Sequence, residues 1–419
     1  MKIITIKNPH SFPKSKSPKY NKKKVESIIN QVQKDGDLAL RKLEKKFNNV
    51  SIRTLQVSKK EIKDAYQNVT KEQIQAIKLA KIRLEKTEIA IKKKLEKIEI
   101  KTDNIKITKS FSPLESVGCY VPGGLARYPS SVIMSVVPAK IAGVKKIVIV
   151  TPPNKQGKID PLILVAADIC KADQIFKVGG AHAIAALAFG TKSIPSVDKI
   201  VGPGGSFVTA AKYLVTDITS IDMLAGPTEL VIIADDSANP EFVALDLISQ
   251  AEHSSDTMCC LITTSRSLAN KVVNLIEKLI PTLQRKKIVV SSLNKNGFIA
   301  VCKKMSDAVS LTNNLAPEHL EIMTIRPKAI SNKIKTAGLV LLGQNTPSAA
   351  SDYLLGTNHI LPTNKFGRAR GSLSVLDFVK IQTSVESSRQ DLQRINKYLN
   401  ALTKAENLPN HYEAVKKRL

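Results

Sequence analysis

The stretch SQAEH places Gln250 and His253 three residues apart, in a chain with only 6 histidines among 419 residues. It closes the run PEFVALDLISQAEH, in which Phe242, Leu245, Ile248 and Ala251 recur at helical spacing. Residues three apart share a helix face, so the amide and the imidazole are aimed at one region. That pairing suits a single metal ion, with imidazole the stronger ligand. It equally suits a lone histidine answering the negative end of a helix dipole. A metal needs more donors, and Asp352, His359 and His411 are available. Imidazole with carboxylate or amide, and no thiolate, suits zinc or manganese.

A second pair stands in NNLAPEHLEI, where Glu318 adjoins His319. Pro317 fits the first turn of a helix, which makes both early-helix residues. Adjacent helical side chains point about 100° apart, so the two do not serve one proton from one face. They can flank one reacting carbon from two directions, as a reaction with two proton transfers requires. A carboxylate in a first turn is also accounted for by the dipole alone.

The elements that must carry these residues read as follows. Residues 1 to about 20 form a Pro-, Ser- and Lys-rich arm, and 21 to 100 is mostly helical. After Pro113, strands KIVIV (146–150), QIFKV (174–178), KIVG (199–202), ELVIIAD (229–235), MCCLITT (258–264) and GLVLL (338–342) alternate with helical runs. Short apolar strands between helices imply parallel sheets covered on both faces. From Val375 the chain reads as helical and polar. Glycine-rich turns VPGG (121–124), VGGAHA (178–183) and VGPGGS (201–206) sit where such sheets bind ligands. None reads GxGxxG, so a tight βα turn and a nucleotide contact both account for them.

With 43% hydrophobic residues the chain can bury sizeable cores, and no stretch resembles a membrane span or a signal peptide. Five cysteines without CxxC spacing read as reduced thiols of a cytoplasmic protein. The net charge is +28, and residues 1–110 alone hold 29 basic against 12 acidic residues. In Lys71–Leu95, however, Ile74, Ile77, Ala80, Leu84, Ile91 and Leu95 recur at helical spacing with lysines between them, as on a solvated face. Aromatic residues are 4% with no Trp, which argues against a base-stacking platform.

The ordered series YVPGG, YPSSV, PAKIAGVKKIVIVTPP, VGGAHAIAALAFGT, VDKIVGPGG, IDMLAGPTE, SQAEH, APEHLEI, SDYLLGTNHILPT and LPNHYEAV resembles histidinol dehydrogenase, from about residue 21 to the C-terminus. The resemblance implies oxidation of L-histidinol through histidinal to histidine, consuming two NAD and one water, by a zinc-containing homodimer. It implies two Rossmann-like domains with parallel sheets, plus a helical N-terminal arm (1–20) and a C-terminal helical module (375–419). Residues 21–119 and 230–374 would form the first domain and 120–229 the second.

By the same resemblance Gln250, His253, Asp352 and His411 match zinc ligands, His411 coming from the neighbouring subunit. His319 matches the base that takes the alcohol proton, and Glu318 the residue that activates water. Thr228, His359 and Glu406 match substrate-contacting positions, with Thr228 standing where serine is usual. Tyr120 matches a nucleotide contact. His182 and Gly205 stand where the family has Gln and Asn at NAD contacts, which opens the choice between NAD and NADP. Two other readings remain. One is a dehydrogenase of a different alcohol on the same scaffold, such as a sulfopropanediol, which the Glu406 carboxylate opposes. The other is a basic nucleic-acid-binding protein.

Overall fold

The computed structural model describes residues 1–9, 21–123 and 127–419. Most of the N-terminal arm (10–20) and Gly124 of the first glycine-rich turn lie outside the described residues. In chain order, β1 (Lys2–Ile6) precedes four helices, α1 (Lys22–Asp35), α2 (Asp37–Asn48), α3 (Lys59–Ala65) and α4 (Lys71–Lys92). The strands β2 (Ile98–Thr102) and β3 (Ile105–Pro113) follow, then an alternation of β4 (Ser116–Tyr120), α5 (Pro129–Ala142), β5 (Lys146–Thr151), α6 (Pro161–Ile169) and β6 (Gln174–Lys177). It continues through α7 (Gly180–Phe189), β7 (Lys199–Val201), α8 (Ser206–Leu214) and β8 (Ser220–Ile221). A second alternation comprises β9 (Glu229–Ala234), α9 (Pro240–Ala251), β10 (Met258–Thr263), α10 (Arg266–Leu279), α11 (Lys286–Lys295) and β11 (Phe298–Cys302). After it come α12 (Met305–Leu315), β12 (His319–Met323), α13 (Pro327–Ser331), β13 (Leu339–Leu342) and α14 (Ser348–Ser351). The chain ends in β14 (Val379–Glu386), α15 (Arg389–Ala405) and α16 (Pro409–Lys416).

Two parallel sheets dominate. The five-stranded sheet runs β6-β5-β4-β7-β8 and the six-stranded sheet β1-β11-β10-β9-β12-β13. Setting β1 aside, both have the order 3-2-1-4-5 within their own alternation, the doubly wound pattern. Their central strands are apolar throughout: Ile147 to Val150 and Leu230 to Ala234 are fully buried. That is the composition a strand needs when helices cover both faces.

Three local expectations are corrected. Residues 2–6 of the arm are an edge strand parallel to β11 rather than helix, because the β-branched run IITI finds an open sheet edge to pair with. Val379–Glu386 is a strand, not helix. It pairs antiparallel with β3, which also pairs antiparallel with β2, making a third sheet. The alternation of Ile381, Thr383 and Val385 with polar residues carries that signal. Finally, the side chains of 25–57 are buried with Val148, Phe176 and Ile184, and those of 57–84 with Ile147, Ile149 and Met134. The N-terminal helices therefore pack mainly on the two faces of the five-stranded sheet, while α4 also reaches 230–374 through Arg83 to Leu354 O and Thr87 to Gly356 O.

Candidate active site

His319 opens β12 and Glu318 immediately precedes it, so neither starts a helix. The helix α12 ends one turn earlier with Ala316 in the left-handed conformation at φ 50°. Pro317 is the proline that follows a helix end rather than one that starts it. HLEIM then pairs with Leu230–Ala234 on one side and, through His319–Ile322, with Leu339–Leu342 on the other. Successive strand residues point to opposite faces, so the two functional groups still approach from different directions, with His319 Nδ1 3.8 Å from Glu318 Oε2.

Both side chains are nearly sealed from solvent. Glu318 Oε2 accepts the backbone N–H of Glu229 at 2.9 Å, and Glu229 Oε2 accepts that of Glu318 at 3.3 Å. Burial pushes the Glu318 carboxyl up to about 8 and that of Glu229 up to about 7. For His319 burial opposes the charge, but Glu318 and Asp352 outweigh it and raise the imidazole to about 9. Its Nε2 lies 3.3 Å from Asp352 Oδ1. Asp352 stays below the usual carboxylate range: burial alone would raise it, but His319, His359 and His253 hold it down.

Asp352 closes the short helix α14, and His359 is tied to it. The His359 Nδ1 is 2.7 Å from the Asp352 carbonyl oxygen, which only accepts. The proton therefore sits on Nδ1, and Nε2 presents its lone pair. Gln250 is buried in the last turn of α9, with its Nε2 making no hydrogen bond. The helix stops at Ala251, so His253 follows it in a bend, its N–H donating to Gln250 O at 3.2 Å. The buried stripe of α9 is Val243, Ala244, Leu247, Ile248 and Ala251. Phe242 and Leu245, read from the sequence as part of it, are exposed.

One chain thus brings His253 and Asp352 into electrostatic contact and sets a free amide, Gln250, on the helix beside them. The donors are nitrogen and oxygen only, since all five cysteines are buried elsewhere in cores, and such a set fits zinc. Among the described residues, no group of three or more His, Cys, Asp or Glu closes on one point. Glu406 and His411 are exposed, at the end of α15 and in α16, two helices that pack on each other. A single chain does not bring them to Asp352.

The opposite wall is the C-terminal edge of the five-stranded sheet, at its switch point between β4 and β7. Gly202 has φ 114°, and a Cβ there would lie 2.1 Å from the Tyr120 carbonyl oxygen, so the turn requires glycine. Gly205 caps α8 in open space, leaving backbone N–H groups of that helix start accessible to an anion. The other two expected nucleotide contacts are turned inward. Tyr120 is buried under α7 and its hydroxyl accepts the Gly180 N–H at 3.1 Å. His182 is 2% exposed, with Nε2 2.9 Å from Glu44 Oε1 and its ring stacked on Phe47. The same Glu44 oxygen accepts the Gly179 N–H at 2.7 Å. A carboxylate of α2 therefore fills the helix start that spacing offered to a phosphate.

Between the walls lies a cavity of about 60 Å³ whose lining includes Gly202, Pro203, Asp222, Thr228, Glu318 and His359. Beneath it Asp222 pairs with Lys212 and accepts the Gly202 N–H at 2.8 Å. The basic stretch GRARG is structural here. Arg370 donates to the Asp222 carbonyl and, at 2.7 Å, to Asp377 Oδ1, while Arg368 donates to Asn314 O at 2.9 Å. Sequence reading missed Glu229 and Asp222 because each acts on a backbone N–H brought near only by the sheets.

Comparison with known proteins follows the same line. A family model described as histidinol dehydrogenase matches residues 13–419. The histidinol dehydrogenase of Clostridium acetobutylicum is 45% identical over 397 residues, covering 94% of this chain and 92% of that protein. That of Methanococcus maripaludis is 44% identical over 396 residues, with the same coverage. The crystal structure of histidinol dehydrogenase from Elizabethkingia anophelis superposes with a TM-score of 0.92 at 36% identity, covering 97% of this chain and 93% of that one.

Proposed function

Because the chain belongs to the histidinol dehydrogenase family, we propose that it oxidises L-histidinol through histidinal to L-histidine, using two NAD and one water. The observation that supports this most is the meeting of Glu318, His319 and Asp352 at the start of β12, with Glu318 lining the same cavity as the turn after β7.

In this reading Gln250, His253, Asp352 and His411 of a second copy hold a zinc ion. Bound there, the ion supplies orientation of the substrate's amine and imidazole nitrogens. The turn after β7 and the start of α8 would hold NAD, which would supply the hydride acceptor. The chain's own groups handle protons. His319, held at Nε2 by Asp352, takes the alcohol proton as the carbon is oxidised. Glu318, when ionised, takes a proton from the water that adds to the aldehyde. Thr228, whose hydroxyl is held 3.1 Å from that of Thr257, and His359 Nε2 contact the substrate, with Glu406 of the second copy answering its positive charge.

The second copy is supported by the exposed apolar residues Ile381, Val385, Tyr398 and Leu402 of β14 and α15, next to the two site residues that one chain leaves outside. No helix of the described residues is long and apolar enough to cross a membrane. We place the enzyme in the cytoplasm on its reduced thiols and biosynthetic family.

The test is NADH formation with L-histidinol by zinc-replete protein, with two equivalents per histidine. A single equivalent, or no turnover with histidinol while another alcohol is oxidised, would overturn the reading.

A further inference from the structure

Glu321, two residues beyond His319 on β12, takes no part in the chemistry above, yet it is fully buried. Its Oε1 accepts the backbone N–H of Ser348 at 2.7 Å. Ser348 is the first residue of α14, whose N-cap position is Pro347 and which has no side-chain cap of its own. Glu321 thus caps, from a neighbouring strand, the short helix that presents Asp352, and Asp352 N donates back to Ser348 O at 3.0 Å. An unpaired N–H at a buried helix start is costly, so this bond fixes where α14 begins.

The other oxygen of Glu321 is buried and makes no hydrogen bond among the described residues. What faces it, within hydrogen-bonding range, is the carboxyl of Asp246. Asp246 lies on α9, one turn before Gln250, and α9 packs on α14. A buried carboxylate and a half-buried one in contact resist ionising together, so one proton lies between them. Burial raises both groups and each raises the other's cost of ionising, so the pair retains one shared proton.

We propose that Asp246 and Glu321 form a hydrogen-bonded acid pair that positions Asp352, locking α9, β12 and α14 so that Gln250, His319 and Asp352 keep one relative placement. They are positioning residues: neither lines the cavity. The role rests on the reading of Asp352 as ligand and partner of His319.

Glu321→Gln preserves both contacts, since its carbonyl accepts from Ser348 and its amide donates to Asp246. Glu321→Ala preserves neither. Measured on the zinc-loaded enzyme, Glu321→Ala should lose zinc to a chelator at least ~10-fold faster and show kcat lowered ~10- to 100-fold, the scale of a small misplacement. Glu321→Gln should restore both to within about threefold of wild type. Should Glu321→Ala not fold, Asp246→Ala, which keeps the Ser348 contact but removes the brace, should show the same losses in smaller degree. An infrared difference spectrum of wild type minus Glu321→Gln at neutral pH should contain the C=O band of a protonated carboxyl. Wild-type zinc retention and kcat in the alanine variants, failure of Gln to rescue, or absence of the band would overturn the pair. A wild-type enzyme that neither turns over histidinol nor holds zinc would instead sink the functional reading. The infrared band, and a crystal structure of Glu321→Ala showing whether Asp352 leaves His319, would still decide the pair.

Discussion

His319 Nε2 stands 3.3 Å from Asp352 Oδ1, across 33 residues of sequence. One hydrogen bond therefore joins the candidate base to a candidate metal ligand, and the imidazole is held while its other nitrogen, buried, makes no hydrogen bond among the described residues. Replacing the ring by an amide keeps a donor to Asp352 but removes the base. His319→Gln should cut histidinol oxidation by ~10²- to 10⁴-fold, the usual worth of a general base, with zinc content unchanged. Stopped-flow NADH formation and metal analysis would check it, and loss of zinc would argue that the ring is structural.

In the proposed reaction Glu318 serves the second half-reaction. Glu318→Gln should slow histidinal oxidation by ~10²-fold or more, yet leave histidinol oxidation within about threefold. The pH profile carries the sign. A base must be ionised, and burial holds Glu318 protonated up to about 8. Histidinal oxidation should rise with pH to a plateau above 8 and fall on the acid side, and the variant's residual rate should lack that rise.

The exposed His411 and the cleft residue His253 should complement between subunits. His253→Ala and His411→Ala homodimers should each be inactive, and each heterodimer should contain one intact site. After unfolding and random reassociation, the mixture should recover roughly a quarter of wild-type activity, as a two-fold dimer requires. No recovery in a mixture shown to contain heterodimers would mean that the site lies within one chain.

Arg370 reaches Asp222 and Asp377 together, tying the strand β14 region to the turn under the cavity. Arg370→Ala should lower stability by about 2–3 kcal/mol, since it orphans a buried carbonyl and an anion's partner. Arg370→Lys should recover little, because an ammonium lacks the fork that spans both acceptors. Denaturant midpoints of the three proteins would check the order.

Glu88 offers a test of pH-dependent stability away from the site. Its carboxylate, 2% exposed, accepts the Val375 N–H at 2.7 Å, and burial first, then Asp377, raises it to about 7. Its folded value exceeds the unfolded one, so the favourable contribution is complete below about 4.5 and is lost as pH rises through about 7. Glu88→Gln should therefore match wild type or fall slightly below it near pH 5. Near pH 8 it should exceed wild type by on the order of 1–2 kcal/mol.

The alternation of short apolar strands with helices was legible in sequence because burial on both faces leaves a local trace. KIVIV and ELVIIAD could sit nowhere but inside a covered parallel sheet. The edge strands left less, since KIITI is half exposed, KIQTSVE is exposed throughout, and both take their conformation from the partner they find. Pro317 illustrates the same limit at the site: a proline can start a helix or follow one, and only the closure of α12 by Ala316 settles which.

By itself, then, the sequence determined the α/β class and offered candidate side chains, since Gln250, His253, Glu318, His319 and Asp352 stand in an ordered series of motifs that resembles one family. The tertiary structure decided how they are placed. It set His319 at the start of a strand with Glu318 just before it, and joined His319 to Asp352. It also turned His182 onto Glu44, 138 residues away, and set the Asp246 carboxyl against that of Glu321. Each of these depends on which backbone groups and carboxyls become neighbours after burial, and local spacing carries no information about partners that only the packed sheets bring together.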